Sequence, residues 1–97
     1  MKTLDEIRDI LNREKQTLVE QFKIKGLSIF GSFVRGESQE NSDLDILVEF
    51  YAPIGFFQFL DLEEHLQNLL EVKIDLVSKK ALKPKIGERI LKEAVPI

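Results

Sequence analysis

Three stretches of the chain place apolar residues at helical spacing. The first covers residues 3 to about 22 and opens with the capping-box pair Thr3 and Glu6. The second runs from about residue 56 to Leu70, and the third begins near Pro84, because proline suits the first turn of a helix. The third helix is predicted to pack through Ile86, Ile90 and Ala94 and to stop at Pro96.

Apolar runs of strand length alternate with these helices. They cover residues 27–30, 44–50 and 72–78. Gly26 is predicted to end the first helix, and a short helix is predicted at residues 32–37, followed by a polar loop to Ser42. The order predicts a single small domain of the α/β (α+β) class, residues 1–97, with a sheet of at least three strands flanked by helices.

Two carboxylates open the second strand. Side chains alternate along a strand, so Asp43 and Asp45 share one face while Leu44, Ile46 and Val48 share the other. Adjacent carboxylates repel unless a positive charge lies between them, and Mg²⁺ prefers oxygen ligands of this kind. Taken alone, an Asp-x-Asp sequence is more typical of a solvated turn. The alternating pattern therefore makes the pair a candidate metal site only in combination with other features.

A small-residue turn follows the first strand. Gly31 permits close backbone approach to a ligand, and a strand-to-helix turn leaves N–H groups that favour an anion such as phosphate. Ser32 adds a hydroxyl, and Arg35 adds a guanidinium suited to phosphate oxygens. Gly-Ser alone usually marks only a turn. Ten residues separate Gly31-Ser32 from Asp43, so the predicted phosphate-binding and metal-binding residues belong to one strand–helix–loop–strand unit.

The third strand carries one charged residue among apolar ones. Asp75 must be exposed, paired or bound to a cation, because burying an unpaired carboxylate is costly. If this strand lies beside residues 44–50, Asp75 converges with Asp43 and Asp45. An ordinary charge on an edge strand is the alternative interpretation.

Other polar and aromatic residues have simpler interpretations. Phe57 lies outside the apolar face of the second helix, so it either packs into the core from a non-helical lead-in or contacts a partner. His65 is predicted to be a surface residue. A cluster of four lysines lies before or at the start of the third helix and either provides solubility or attracts an anionic ligand. Its members are Lys79, Lys80, Lys83 and Lys85.

Composition limits the function further. The chain has 97 residues, a formal charge of −3, 32% charged residues and no cysteine. The net negative charge argues against general nucleic-acid binding, and the lack of cysteine excludes disulfides and thiolate metal sites. No apolar run approaches the roughly 20 residues needed to cross a bilayer, and no signal pattern is present, so we expect a cytoplasmic protein without membrane attachment.

The segments GSFVRGE and SDLDILVEF, with VKIDLVS and ILKEAVPI later in the chain, resemble the minimal nucleotidyltransferases (MNT-type) of the DNA polymerase β-like superfamily. The resemblance implies a mixed, palm-like sheet and transfer of AMP from ATP. It implies that Asp43, Asp45 and Asp75 act in catalysis and bind two Mg²⁺ ions, with Mn²⁺ as an alternative. It also implies that Gly31, Ser32 and Arg35 bind the nucleotide, with Gly31 and Ser32 at the β- and γ-phosphates.

The same resemblance implies a partner. MNT-type chains commonly pair with a HEPN-type protein, which they modify as antitoxins. The segment from Tyr51 to Phe56, with Phe57, is the candidate contact surface. Three alternatives stay open: a non-catalytic binding antitoxin, a small-molecule (aminoglycoside-like) nucleotidyltransferase and a carboxylate-metal nuclease. Self-association, the acceptor and the preferred base are not determined by the sequence.

Overall fold

A computed structural model of the chain describes residues 2–37 and 42–97. Most of the predicted polar loop before Ser42 lies outside these ranges. The helices are α1 (Leu4–Phe22), α2 (Ser32–Arg35), α3 (Phe56–Leu70) and α4 (Pro84–Glu93), and a single 3₁₀ turn spans Lys79–Ala81. The strands are β1 (Ile24–Phe30), β2 (Leu44–Phe50), β3 (Ile74–Ser78) and β4 (Val95–Pro96).

The four strands form one mixed sheet in the order β3-β2-β1-β4. β1 is antiparallel to both β2 and β4, whereas β2 and β3 are parallel. The α+β class and the mixed sheet are therefore confirmed, and β4 is an additional strand. This arrangement brings the end of β1 and the beginnings of β2 and β3 to the same end of the sheet.

The hydrophobic core joins α1 and α3 to the sheet. The two helices contact each other, and α1 also contacts β1 while α3 contacts β3. Fully buried members of the core are Ile7, Leu11, Leu18, Ile29, Leu44, Ile46, Val48, Leu62, Leu66 and Leu70. Each such side chain stabilises the fold by about 1.5–3 kcal/mol relative to an exposed one. The core therefore fixes the strands whose ends carry the candidate site.

The junction between α1 and β1 differs from the prediction. The capping box of Thr3 and Glu6 is present and α1 ends at Phe22, as predicted, but the residue that caps this end is Lys23, in the left-handed conformation with φ 56°. The prediction that Gly26 ends the helix is wrong: β1 already begins at Ile24, which is buried. Gly26 instead lies at a register shift in the β1–β2 pairing. A glycine inside a strand often marks such an irregularity.

The carboxyl-terminal segment also differs. α4 begins at Pro84 as predicted, but Ile86 is 57% exposed, so a packing face that includes Ile86 is wrong. Pro96 does not simply stop the helix, which ends at Glu93. It pairs with Ser28 in the edge strand β4, where a residue without an N–H group is tolerated.

Two predictions for α3 are corrected as well. Phe57 is the second residue of the helix and is 78% exposed, so the core interpretation is wrong. His65 is half-buried rather than exposed, with its ring 5.5 Å from that of Phe22. None of the described helices combines the length and the hydrophobicity required of a membrane span.

Candidate active site

Asp45 and Asp75 are brought together by the parallel pairing of β2 and β3. The two residues are direct register partners, one on each strand. Neighbouring strands are about 4.8 Å apart, so equivalent side chains on the same face lie side by side. Asp75 is exposed and Asp45 is half-buried. The convergence expected for these two carboxylates is therefore present in the fold.

Burial and neighbouring negative charge raise the pKa of Asp45. Desolvation, followed by the charge and hydrogen bond of Asp75 and the charge of Asp43, raises the pKa of Asp45 from 3.8 to about 6. Arg35 opposes the shift. Asp43 itself is exposed immediately before β2. Asp45 is thus the centre of a crowded negative site that a cation would relieve.

Gly31 is fitted closely against this site. Phe30 pairs with Asp45 across β1 and β2, so Gly31 follows directly at the end of β1. Its φ is +79°, and a Cβ atom built there would overlap the Asp45 carboxylate, lying 2.9 Å from Cγ. Both the left-handed backbone and the contact require a residue without a side chain. The glycine therefore allows the turn to pass directly over Asp45.

The short helix α2 follows this turn. The backbone N–H groups of Val34 and Arg35 donate to the Gly31 carbonyl, and Ser32 is half-buried at the beginning of the helix. Phe33 anchors the helix in the core. Local packing therefore holds Ser32 and Arg35 on the same turn as Gly31, beside Asp45.

Arg35 is held by two carboxylates. Its Nη1 atom donates to Glu93 Oε1 at 2.7 Å, and its Nε atom donates to Glu37 Oε2 at 3.0 Å. The other oxygen of Glu93 accepts from the Gly31 N–H group at 3.0 Å. Sequence reasoning missed Glu93 because it lies 62 residues from Gly31 and only the folded chain brings it to the turn.

A cavity of about 450 Å³ opens between the sheet end and α4. Its lining is formed by Phe30, Gly31, Arg35, Asp45, Ile86, Arg89, Ile90 and Glu93. The four α4 residues recur at helical spacing on one face of that helix. The exposure of Ile86 follows from this position, because its side chain borders the cavity instead of the core.

The carboxylates suit a divalent ion in their chemistry. Asp43, Asp45 and Asp75 offer oxygen atoms of the kind Mg²⁺ prefers, and the raised pKa of Asp45 reflects negative charge that a cation would offset. Within residues 2–37 and 42–97, however, no group of three or more acidic, His or Cys residues is already arranged to hold a metal. The metal assignment of these three residues stays a prediction.

A second surface lies at the other end of the sheet. We call Tyr51, Phe56, Phe57 and Leu60 the aromatic surface; all four side chains are exposed. A groove of about 570 Å³, lined in part by Phe56, adjoins it. β2 spans Leu44–Phe50, and the rise of five residues from Asp45 to Phe50 places this surface about 17 Å from the carboxylates. It is therefore separate from the candidate site.

Known proteins resemble this chain in sequence. Residues 7–97 match the Polymerase beta, Nucleotidyltransferase family. The chain belongs to this family. This nucleotidyltransferase is 45% identical over 95 residues to the protein adenylyltransferase MntA of Thermococcus cleftensis, covering 98% of this chain and 96% of that one.

Solved structures show the same fold. One, described as that of a proposed minimal nucleotidyltransferase, is 33% identical with a TM-score of 0.77, and the match covers 94% of this nucleotidyltransferase and 95% of that chain. Another is a complex of a tri-AMPylated Shewanella oneidensis HEPN toxin with its MNT antitoxin. Its matching chain is 18% identical with a TM-score of 0.68, covering 93% of this chain and 70% of that one. The second likeness concerns the fold alone.

Proposed function

We propose that this nucleotidyltransferase transfers AMP from ATP to a hydroxyl group of a HEPN-type partner protein and thereby acts as its antitoxin. The observation that carries the proposal is the placement of Gly31 against Asp45, with Asp75 directly opposite Asp45 in register. That arrangement lies in a chain closely related to a protein named as a protein adenylyltransferase.

The reaction forms one phosphorus–oxygen bond and breaks another. The acceptor hydroxyl oxygen would attack the α-phosphorus of ATP, and the bond to the departing pyrophosphate would break. Asp75, exposed at the beginning of β3, would take the hydroxyl proton. Gly31, Ser32 and Arg35 would hold the β- and γ-phosphates at the turn. Most of the acceleration would come from positioning and charge stabilisation.

Asp43, Asp45 and Asp75 would hold the divalent ions, with Mg²⁺ as the first choice. Bound there, the ions would neutralise polyphosphate charge and lower the pKa of the attacking hydroxyl. The contribution of the chain is to keep Asp45 and Asp75 side by side on rigid strands. The negative crowding that raises the pKa of Asp45 to about 6 supports this role, since cation binding would relieve it.

The partner would bind through the aromatic surface. Its exposed side chains Tyr51, Phe56 and Phe57 are the kind of residue that contributes strongly to interfaces. Because this surface lies about 17 Å from Asp45, a partner bound there must extend along the sheet to bring its hydroxyl to the carboxylates. Recognition and chemistry would thus use opposite ends of β2.

Label transfer tests the proposal. The chain is incubated with α-labelled ATP and Mg²⁺, alone and with the HEPN-type protein encoded beside it, and label on protein is followed. We expect label on the partner only when Mg²⁺ is present. We also expect the Asp43→Asn, Asp45→Asn double variant to bind ATP weakly and to transfer no label.

Asp9→Asn is the matched control, because it removes an exposed aspartate of α1, outside both the site and the aromatic surface. It should bind ATP and label the partner like the wild type. Efficient labelling of small hydroxyl compounds with none on the partner would favour a small-molecule enzyme. Partner neutralisation without any transfer would favour a non-catalytic antitoxin.

A further inference from the structure

Glu93 joins α4 to the turn that the proposed function assigns to the nucleotide phosphates. One carboxylate oxygen accepts from the Gly31 N–H group at 3.0 Å, and the other accepts from Arg35 Nη1 at 2.7 Å. These contacts, with the charge of Arg35, lower the pKa of Glu93, which is therefore ionised at neutral pH. A single carboxylate thus fixes both a backbone position and a side-chain charge.

We propose that Glu93 is a positioning residue that holds Arg35 and the Gly31-Ser32 turn in the geometry that binds the nucleotide polyphosphate. The inference rests on the proposed function in taking ATP as the nucleotide. Glu93 acts through Arg35 and the turn and has no contact with the reacting atoms in this account.

The position of Arg35 shows what Glu93 prevents. Arg35 is close enough to Asp45 to oppose its pKa shift, so the guanidinium has an alternative anionic partner beside it. Without Glu93, the exposed Glu37 would be the one ion-pair partner left to Arg35 among residues 2–37 and 42–97. Arg35 would then be attracted to the carboxylates, where it would compete with the metal and leave the phosphates.

An arginine can serve Glu93 and a phosphate together. The guanidinium carries five N–H donors, and the two ion pairs use one on Nη1 and the one on Nε. The remaining donors have no hydrogen-bond partner among residues 2–37 and 42–97 and could donate to phosphate oxygens. The pairing with Glu93 is thus compatible with nucleotide binding, and it reduces the rotamer freedom that Arg35 would otherwise lose on binding.

If Glu93 competed with a phosphate, its removal would change ATP affinity in the opposite direction. If the Glu93 carboxylate instead occupied the place of a phosphate and had to be displaced, removing its charge would tighten ATP binding. The sign of the change in ATP affinity therefore distinguishes positioning from competition.

The experiment measures dissociation constants for MgATP and MgAMP in the wild type, Glu93→Gln and Arg35→Ala, and in the double variant. Glu88→Gln is the matched control, since Glu88 is an exposed glutamate of the same helix that does not border the cavity. Circular dichroism and urea denaturation establish that each variant is folded. The near-isosteric Glu93→Gln is used because truncation to alanine could also loosen α4.

We expect Glu93→Gln to weaken MgATP binding about 10-fold, in line with the loss of a charge-assisted hydrogen bond, and to change MgAMP binding by less than about 2-fold. The half-saturating Mg²⁺ concentration should rise. In the Arg35→Ala background the same change should have little further effect, because the ion pair with Arg35 is already lost and the glutamine oxygen can still accept from the Gly31 N–H group. A purely structural residue would affect both nucleotides and would be additive with Arg35→Ala.

Unchanged or tighter MgATP binding in Glu93→Gln would overturn the proposal, as would equal losses for the two nucleotides or full additivity with Arg35→Ala. The labelling experiment separates this outcome from failure of the proposed function. A wild type that binds MgATP with the expected Glu93 dependence but never labels the partner would retain the positioning role and lose the transferase proposal.

Discussion

Asp45 and Asp75 lie directly opposite each other on the parallel strands β2 and β3. Their proximity, together with the burial of Asp45, opposes ionisation of Asp45. A fold without a functional demand would gain stability by replacing one of the two carboxylates. The pairing thus lowers the stability of the free protein, and a bound cation would offset this cost.

The first prediction concerns pH and the stability of the metal-free protein. The pKa of Asp45 is about 6 in the folded state and 3.8 ordinarily, so between these values the folded protein binds more protons than the unfolded chain. The free energy of unfolding should therefore fall as pH rises from about 4 to about 6 and then level off for this group. Urea denaturation at a series of pH values in the presence of a chelator measures this free energy of unfolding.

Asp45→Asn should remove this decline and stabilise the metal-free protein at neutral pH. Asp9→Asn, the exposed control on α1, should keep the wild-type pH dependence. The same slope in wild type and Asp45→Asn would contradict the electrostatic account of Asp45.

The second prediction uses two glycines with positive φ. Gly31 has φ +79° and ψ −152°, whereas Gly36 is left-handed with φ +72° and ψ 21°. Alanine at Gly36 should cost about 1–2 kcal/mol, and alanine at Gly31 should cost more, because its backbone region is adopted almost only by glycine. Only at Gly31 would the new Cβ also overlap Asp45, while at Gly36 no atom of residues 2–37 and 42–97 lies within 4 Å. We expect Gly31→Ala to lower label transfer by about 100-fold or more, because displacing catalytic groups by about 1 Å has effects of that size.

Gly36→Ala is the control for a positive-φ glycine that has no contact with Asp45. It should lose stability in urea denaturation, by less than Gly31→Ala, while keeping most of its transfer activity. If the two variants lost activity equally, contact between Gly31 and Asp45 would not be the reason that glycine is required.

The third prediction separates Asp75 from Asp45. As the proposed proton acceptor, Asp75 should affect turnover more than nucleotide affinity. Asp75→Asn should reduce the rate of label transfer by about 100-fold, within the range for loss of a general base, while the dissociation constant of MgATP changes little. A quenched time course of labelling gives the rate of transfer, and calorimetry gives the dissociation constant of MgATP. Wild-type transfer by Asp75→Asn would make Asp75 a structural residue.

The fourth prediction concerns the aromatic surface. Phe57 is exposed and makes an edge-to-face contact with Phe56 at 5.7 Å between ring centres. Phe57→Ser should weaken binding of the HEPN-type partner by about 10-fold or more without changing MgATP affinity, since the surface is remote from Asp45. Leu91→Ser is the control, because Leu91 is an exposed apolar residue of α4 outside this surface. Equal partner binding by wild type and Phe57→Ser would remove this surface from the interface.

Local patterns predicted much of the fold. α1, β2 and the start of α4 follow from capping, alternation and proline placement, all of which depend on neighbouring residues. The start of β1 was misplaced because Lys23, a residue without a strong preference for the left-handed conformation, provides the cap of α1 three residues before Gly26. β4 was missed because two residues containing Pro96 have no strand pattern of their own and depend on pairing with β1.

The candidate site divides in the same way. Gly31, Ser32, Asp43 and Asp45 could be predicted as one site because their spacing along the chain is short. Asp75 needed the parallel pairing of β2 with β3, which no local pattern specifies. Glu93 could not be found, because an ordinary helical glutamate gains its importance only from Gly31 and Arg35 across the fold.

The closing strand β4 has a consequence for folding. It pairs with β1 through Ile29 and Val95, and it follows Glu93 almost directly, so the turn at Gly31 and the Glu93 carboxylate meet only when the carboxyl-terminal segment pairs with β1. Contacts of such long sequence separation form late and slowly compared with helices. The catalytic geometry should therefore mature in the last stage of folding, and partly folded molecules that already contain α1 and α3 should be inactive.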